Sequence, residues 1–218
     1  MPEPVTAFRS RAIPLPNENV DTDQIIPARY LKTTEKSGLA DGLFSNWRYA
    51  ADGTARPDFV LNRPEMQGRA VLLAGANFGA GSSREHAPWA LLSWGIRAVI
   101  STGFADIFRA NALKNGLLPV AVSPERHTAL FDLVAADPDV EFAVDLSTQT
   151  VGVRPAHPDA PAVAKAMAVV GDSFAFEIDP FARRMLLDGT DEIGYVLARL
   201  PSIEAWEAAS PAPVNTLE

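Results

Sequence analysis

The side chains of this sequence that could do chemistry are concentrated in one glycine-containing segment, residues 75–86 (the glycine segment). There, Ser82 and Ser83 place two hydroxyls directly before the guanidinium of Arg84. A guanidinium can hold a carboxylate through two parallel hydrogen bonds, which fixes the direction of the ligand as well as its charge. Gly79 and Gly81 let the backbone turn sharply before these residues, and the N–H groups exposed by such turns attract anions. The segment therefore predicts a binding site for a small carboxylic acid.

The charges around the segment agree with an anionic ligand. Residues 84–114 carry four basic and two acidic side chains, whereas the whole chain of 218 residues carries 19 basic and 27 acidic ones, a net charge of −8. Nucleic acids and anionic membrane surfaces attract basic patches. The acidic excess of the chain therefore disfavours both as partners.

The spacing of the segment excludes the commonest anion sites. A P-loop needs four residues between its first glycine and a Gly-Lys pair, but five residues separate Gly75 from Gly81 and no lysine follows. Arg84 stands where a dinucleotide-binding fingerprint needs its third glycine, and the serines lack the flanking glycine of a nucleophile elbow. A hydrolase that pairs Ser82 with His86 stays an alternative, although the sequence shows no third catalytic residue for it.

Several residues here also have purely structural interpretations. Ser82 and Glu85 have the spacing of a capping box, so Ser82 could simply cap the following helix. Pro88 lacks the N–H that would bond the carbonyl four residues back, which predicts an irregular first turn. We expect His86 to pack beside the site or to support it, and we expect Asn111 to be a buried, hydrogen-bonded side chain.

Short buried strands and amphipathic helices alternate around the segment. Residues 70–74 have the length and continuous hydrophobicity of a strand buried on both faces, and apolar residues with helical spacing follow at 87–94. The alternation continues with strands at 98–100 and 117–122 and, between them, a helix whose apolar stripe is Phe104, Ile107, Phe108 and Ala112. Strands connected in this way pair in parallel, and ligands collect at their carboxyl ends, where the glycine segment lies.

The rest of the chain predicts one domain, residues 1–207, with a flexible tail at 208–218. Residues 32–64 lose periodicity and gather glycine and proline, which indicates a loop or loosely helical insertion that could serve as a binding lid. Residues 25–30 fit a helix or a strand. The other predicted elements are strands at 8–15 and 173–178, a hairpin formed by 141–146 and 148–153, and helices at 125–136, 181–187 and 191–200.

The chain contains no cysteine. This excludes disulfides, a thiolate nucleophile and an iron–sulfur cluster held by this chain alone. The sequence shows neither a secretory signal nor the ~18 consecutive apolar residues of a membrane helix. We therefore expect a cytoplasmic location and no membrane association.

Five motifs together resemble a known family. They are NVDTDQIIPARYL at residues 19–31, GSSREH at 81–86, APWAL at 87–91, GFADIF at 103–108 and NGLLP at 115–119. The second, fourth and fifth resemble the swivel domain of the aconitase superfamily, and the other two are similar to the small subunits of 3-isopropylmalate dehydratase. The resemblance covers about residues 1–200.

The resemblance implies a fold and a division of labour between two chains. The implied fold is an α/β swivelling β/β/α domain with a mixed, barrel-like sheet and flanking helices. The implied partner is a large subunit that carries a [4Fe–4S] cluster on three cysteines, with one iron open to the hydroxyl and carboxylate of the substrate. This chain would bind no cofactor and no metal itself, which agrees with its lack of cysteine.

The resemblance also implies a reaction and roles for individual residues. The reaction interconverts 2-isopropylmalate and 3-isopropylmalate through isopropylmaleate, a step of leucine biosynthesis. Ser82 matches the serine that removes the proton next to a carboxylate, Arg84 matches the carboxylate-binding arginine, and Ser83 matches a neighbouring substrate contact. Asp23 and Arg29 lie in the first motif and are expected to line the cleft. Gly79 and Gly81 would support the site.

Two alternatives to this activity stay open. The same architecture could act on homoaconitate, citraconate or a methylmalate-type acid, because the isopropyl preference cannot be read from the insertion at 32–64. The chain could also be a module that binds an organic acid or a partner without chemistry.

Overall fold

A seven-stranded mixed sheet forms the centre of this chain, of which the computed structural model describes residues 4–32 and 38–209. Its strands are β1 (Phe8–Leu15), β2 (Val71–Ala74), β3 (Ala98–Ser101), β4 (Leu118–Ala121), β5 (Glu141–Asp145), β6 (Thr150–Arg154) and β7 (Ser173–Ala175). The helices are α1 (Thr22–Ile25), α2 (Ser45–Arg48), α3 (His86–Trp94), α4 (Asp106–Asn115), α5 (Pro124–Ala136), α6 (Pro161–Val170), α7 (Pro180–Asp188), α8 (Glu192–Leu197) and α9 (Leu200–Ala209). The strand order within the described residues is β4-β3-β2-β1-β5-β6-β7. Strands β1 to β4 pair in parallel, and β1, β5, β6 and β7 pair antiparallel. The α/β class with a mixed sheet and flanking helices is confirmed.

The parallel half of the sheet follows the predicted alternation of strands and helices. Helix α3 connects β2 to β3 and ends at Gly95, and α4 connects β3 to β4 and ends at Gly116. Both glycines have a positive φ, which allows the left-handed turn that closes a helix. The predicted stripe of α4 was wrong at Ile107, which is half exposed. Helix α4 begins only at Asp106, and its buried face is set by Phe108, about 100° around the helix from Ile107.

Strand β1 brings the beginning of the chain beside the glycine segment. It pairs in parallel with β2 in a register that sets Leu15 opposite Ala74. Because both strands end at the same level, the segments that follow them run side by side. The N–H of Asn19 donates to the carbonyl of Ala76 at 2.8 Å, which is the first link between the two segments beyond the strands.

The parallel strands are buried on both faces, as the sequence predicts. Val71 and Leu73 pack into a core shared with α5, α6 and the antiparallel strands, whereas Leu72 and Ala74 face a second core formed with α3, α4 and the insertion. Burial of each large apolar side chain contributes about 1.5–3 kcal/mol. A one-residue slip of β2 would exchange its two faces, so this burial fixes where the glycine segment begins.

The described part of the insertion packs onto the second core. Leu43, Phe44 and Leu61 are fully buried. The buried guanidinium of Arg48 donates to the carbonyl of Ala40 at 2.9 Å and to Asn62 at 3.0 Å, which ties the insertion together. Short helices and 3₁₀ turns confirm the loosely helical alternative for this region. Residues 33–37 of the insertion lie outside the described residues, and its role as a lid stays a prediction.

Residues 25–30, for which the sequence left helix and strand open, are partly helical, with an extended backbone at residues 26 and 27. Helix α1 ends at Ile25, and residues Ala28–Tyr30 form a 3₁₀ turn.

The second half of the chain differs from the prediction in four places. The hairpin of β5 and β6 is confirmed, with Glu141 opposite Arg154, but the strand expected at 173–178 is limited to β7. Helix α6 was not predicted, and the helix expected at 191–200 divides into α8 and α9. Residues 208 and 209 of the predicted flexible tail end α9, and the rest of that tail lies outside the described residues. None of the helices in the described part of the chain has the length and hydrophobicity needed to cross a bilayer.

Candidate active site

The glycine segment starts at the carboxyl end of β2, where three contacts hold its base. The N–H of Gly75 donates to the carbonyl of Leu15 at 2.9 Å. The hydroxyl of Ser101, at the end of β3, donates to the carbonyl of Gly75 at 2.7 Å. His127 of α5 places Nε2 2.7 Å from the carbonyl of Ala74. Sequence patterns pointed to neither Ser101 nor His127, because both contacts join residues far apart in the chain.

Gly79 and Gly81 are required by the backbone of the segment. Their φ values are +82° and +99°, which side-chain-bearing residues rarely adopt. A Cβ at Gly79 would lie 2.2 Å from Cγ of Phe108, which is itself buried. The segment can therefore pass over α4 only with glycine at this position.

The structure places Ser82, Ser83 and Arg84 at the surface of this segment. Ser82 and Ser83 are exposed, and Arg84 is partly buried. Within the described residues, the Ser82 hydroxyl makes no hydrogen bond with protein. The capping-box interpretation of Ser82 was wrong, because α3 begins only at His86, after Glu85, whose side chain also makes no capping bond. The hydroxyl is thus available to a ligand.

The first turn before α3 is irregular, as Pro88 predicts. The N–H of Ala87 donates to the carbonyl of Arg84 at a long 3.4 Å, and no proline N–H exists to form the regular bond. This turn leaves Arg84 outside the regular part of α3.

Several backbone donors of the segment bond to the scaffold and so do not face a ligand. The N–H groups of Gly79 and Ala80 both donate to the carbonyl of Val20, at 2.7 and 3.2 Å. The N–H of Ser82 donates to Oγ1 of Thr22 at 3.1 Å. Among the described residues, the N–H groups of Gly81 and Ser83 bond to no other protein group. The two backbone donors that flank Ser82 are therefore without a protein partner within the described part of the chain and can meet a ligand.

The cations near the segment are paired, so the region is less positive than its composition suggested. Arg84 forms an ion pair with the carboxylate of Asp23. Lys114 lies 3.9 Å from the carboxylate of Glu85. Arg97 precedes β3, at the opposite end of the sheet from the segment, and lies 4.3 Å from the ring centre of Phe8. Counting charges along the sequence could not show these pairings or the distance of Arg97 from the segment. Residues that are close in sequence can lie at opposite ends of a strand.

Of the two expected cleft residues in the first motif, only Asp23 contacts the segment. Arg29 donates to Ser45 and Asn46, at 2.8 Å each. It lines an open cavity of about 840 Å³ beside the insertion, and none of the residues 75–86 is among those that line it. The structure thus brings Asp23, Ser82, Ser83 and Arg84 together and places Arg29 in a neighbouring cavity.

Side chains of α3 and α4 pack around the glycine segment. Asn111 donates from Nδ2 to the carbonyl of Ser83 at 3.0 Å, which confirms a hydrogen-bonded side chain, although it is only partly buried. The ring of His86 packs against Trp89 at 4.7 Å between centres, as expected of a packing histidine. Across residues 4–32 and 38–209, no three His, Asp or Glu side chains are grouped so that they could hold a metal ion.

The chain is similar to known proteins over nearly its whole length. Residues 3–125 match a family model described as the aconitase C-terminal domain. The 3-isopropylmalate dehydratase small subunit of Anaeromyxobacter dehalogenans strain 2CP-C is 56% identical over 94% of this chain and 97% of its own length. The protein of that name from Roseiflexus sp. strain RS-1 is 52% identical over 98% of both chains. A crystal structure of 3-isopropylmalate dehydratase from Methanocaldococcus jannaschii is similar with a TM-score of 0.60 and 27% identity, covering 93% of this chain and 99% of that one.

Proposed function

Because this chain belongs to the 3-isopropylmalate dehydratase small-subunit family, we propose that Ser82 and Arg84 are its contribution to the dehydratase active site. The activity is that of a hydro-lyase subunit that works within a complex, and it interconverts 2-isopropylmalate and 3-isopropylmalate in leucine biosynthesis. One observation carries the assignment of residues. The exposed hydroxyl of Ser82 and the guanidinium of Arg84 share one segment at the carboxyl end of β2.

Arg84 is proposed to orient the substrate. Its guanidinium has five N–H donors, and one carboxylate uses at most two of them in a bidentate pair. Arg84 can therefore bind a substrate carboxylate through donors that Asp23 does not use, or exchange Asp23 for it. Asp23 then holds the guanidinium in place before the substrate binds.

Ser82 is proposed to move the proton. It removes a proton from the carbon next to a carboxylate, and hydroxide leaves the neighbouring carbon, so that water is lost and isopropylmaleate forms. Addition of the proton and hydroxide to the opposite carbons gives the other isomer. A serine hydroxyl is a weak base, so its deprotonated form must be stabilised. The unbonded N–H groups of Gly81 and Ser83 are the donors beside it, and Ser83 supplies a second hydroxyl to the substrate.

The partner proposed for this chain is the large subunit of the dehydratase, which would carry the [4Fe–4S] cluster. The residues of this chain do not fit such a cluster. The sequence has no cysteine, and its described residues offer no group of three His, Asp or Glu side chains. The substrate proposed is a small hydroxy-dicarboxylate, and the cytoplasmic location stays a prediction.

The test is turnover by Ser82→Ala after reconstitution with the large subunit. Loss of a general base lowers rates by about 10²–10⁴-fold, so we expect kcat to fall by at least about 100-fold. Gel filtration of the mixture should show unchanged assembly, and Ser83→Ala should mainly raise KM. Turnover equal to that of the unmodified complex would exclude Ser82 as the base.

The same reconstituted complex distinguishes the alternatives. Faster turnover of homoaconitate, citraconate or a methylmalate-type acid than of isopropylmalate would assign a different substrate to this architecture. Full activity of the large subunit without this chain would instead support a binding module without chemistry.

A further inference from the structure

The residues that follow β1 run alongside the glycine segment. Asp21 and Ala80 form a parallel bridge, in which the N–H of Thr22 donates to the carbonyl of Ala80 at 2.8 Å. Beyond this bridge, the N–H of Ser82 donates to Oγ1 of Thr22 at 3.1 Å. Thr22 therefore contacts the glycine segment twice, with its backbone N–H at Ala80 and with its side chain at the proposed base, Ser82.

Thr22 is suited to hold another residue in place. It is 1% exposed, whereas Ser82 is exposed. Its branched side chain has few rotamers. Its backbone is fixed by the capping box of α1, in which Asp21 accepts from the N–H of Gln24 at 2.7 Å and Gln24 accepts from the N–H of Asp21 at 2.9 Å. A buried acceptor with few rotamers thus meets an exposed serine whose hydroxyl bonds to no protein group among the described residues.

We propose that Thr22 is a positioning residue for Ser82, because its hydroxyl oxygen fixes the peptide group that carries the proposed base. This inference rests on the proposed function. With the Ser82 N–H held inward by Thr22, the flanking N–H groups of Gly81 and Ser83 are left for the deprotonated serine. A Cβ at Gly81 would lie 3.4 Å from Thr22 Oγ1, so the segment passes Thr22 at close range.

The test compares Thr22→Val with Thr22→Ser in the reconstituted complex. Valine keeps the shape of threonine but removes the acceptor, and serine keeps the acceptor but removes the methyl group. A small misplacement of a reacting group can lower a rate by about 100-fold. We therefore expect Thr22→Val to lower kcat by about 10–100-fold with KM for isopropylmalate changed less than about twofold. Thr22→Ser should retain kcat within about threefold, since the hydrogen bond remains.

Ser10→Ala is the matched control. The Ser10 hydroxyl accepts the N–H of Ala70 at 2.7 Å, across the same 60 residues of sequence that separate Thr22 from Ser82, but at the other end of the sheet. Loss of this bond should leave kcat unchanged. If Thr22→Val does not assemble with the large subunit, Thr22→Ala is measured in the same way, and failure of both would assign Thr22 to folding and overturn the proposal.

Other outcomes also decide the proposal. Unchanged kcat in Thr22→Val, or equal losses in the valine and serine variants, would overturn it. Ser82→Ala is measured in parallel. If that variant keeps its turnover, Ser82 is not the base, and the proposed function is wrong independently of Thr22. If it loses turnover while Thr22→Val does not, only the positioning role of Thr22 is wrong.

Discussion

Arg84 meets two carboxylates in the proposed reaction, that of Asp23 and that of the substrate. The Asp23 side chain is 58% exposed and that of Arg84 is 23% exposed. Ion pairs this open to solvent contribute about 0–1 kcal/mol to stability. The pair therefore serves to position the guanidinium and adds little to the stability of the fold. Substitutions of Arg84 should affect ligand binding without unfolding the chain.

Arg84→Lys tests this role, because lysine keeps the charge but loses the two parallel donors. Hydrogen bonds to charged groups contribute about 1.5–3 kcal/mol each. We expect KM for isopropylmalate to rise by about 10–100-fold in the reconstituted complex, with a smaller change in kcat. Steady-state kinetics measures both constants. Arg109→Lys is the control, since Arg109 is exposed on α4 and reaches the carbonyl of Glu177 at 3.4 Å. An unchanged KM in Arg84→Lys would contradict the assignment of the carboxylate site.

At the scale of elements, the passage of the glycine segment over α4 depends on Gly79. A Cβ there would lie 2.2 Å from the Phe108 ring, which packs edge-on against Phe78 at 5.3 Å and cannot withdraw freely. Overpacking of a core costs about 1–3 kcal/mol, and a left-handed backbone adds about 1–2 kcal/mol for an L-residue. The segment must therefore shift or the fold must lose stability when Gly79 gains a side chain.

We expect Gly79→Ala to lower the free energy of unfolding by about 2–5 kcal/mol and to lower kcat, because Ser82 lies three residues further on. Urea denaturation and turnover in the reconstituted complex measure the two effects. Gly68→Ala is a matched control, because Gly68 also has a positive φ of +76° but has open space where a Cβ would be. It should lose only the backbone contribution and keep full kcat. Equal effects of the two substitutions would show that contact with Phe108 does not matter.

Elements near the site could be predicted where local pattern decides them. Strand β2, helix α3 and strand β3 carry continuous or periodic apolar residues. Gly95 marks the end of α3, and Gly116 marks the end of α4. Helix α6 was missed although its buried Val163, Ala166 and Val170 have helical spacing, so its signal was present in the sequence.

The contacts that shape the candidate site could not be predicted in this way. The register of β1 against β2 and the bond from Ser82 to Thr22 join residues about 60 positions apart. No periodicity within one segment reports which distant segment lies beside it. The chemical types of the site residues were readable from sequence, whereas the direction of the N–H groups and the pairing of Arg84 with Asp23 were not.

At the scale of the whole molecule, Asp137 joins parts of the second half of the chain. It follows α5, and its fully buried carboxylate accepts from the N–H groups of Ala156 and His157 at 2.7 and 3.0 Å, in the segment that leads to α6. Nδ1 of His157 lies 3.1 Å from the same carboxylate. Burial by itself would raise the pKa of Asp137, but these hydrogen bonds outweigh burial and lower the pKa below its ordinary value of 3.8. The charged form of this carboxyl therefore stabilises the fold.

This pairing predicts a pH-dependent loss of stability that Asp137→Asn should remove. A carboxyl whose pKa is lowered by folding stabilises the protein above its unfolded pKa, and the effect is lost as the pH falls through the folded value. We expect Asp137→Asn to lower the free energy of unfolding by about 2–3 kcal/mol at pH 7, since an amide cannot accept all the N–H groups that the carboxylate accepts. The difference from the unmodified chain should begin to shrink below about pH 4, where this carboxyl becomes protonated in the unfolded chain, and should shrink further as the pH falls to the lowered pKa of the folded state. Urea denaturation of the isolated subunit between pH 3 and pH 7 measures this difference. Asp132→Asn, on the exposed side of α5, is the control. It should change the free energy of unfolding by less than about 0.5 kcal/mol. A difference that stays constant across this range would mean that the charge of Asp137 does not stabilise the fold.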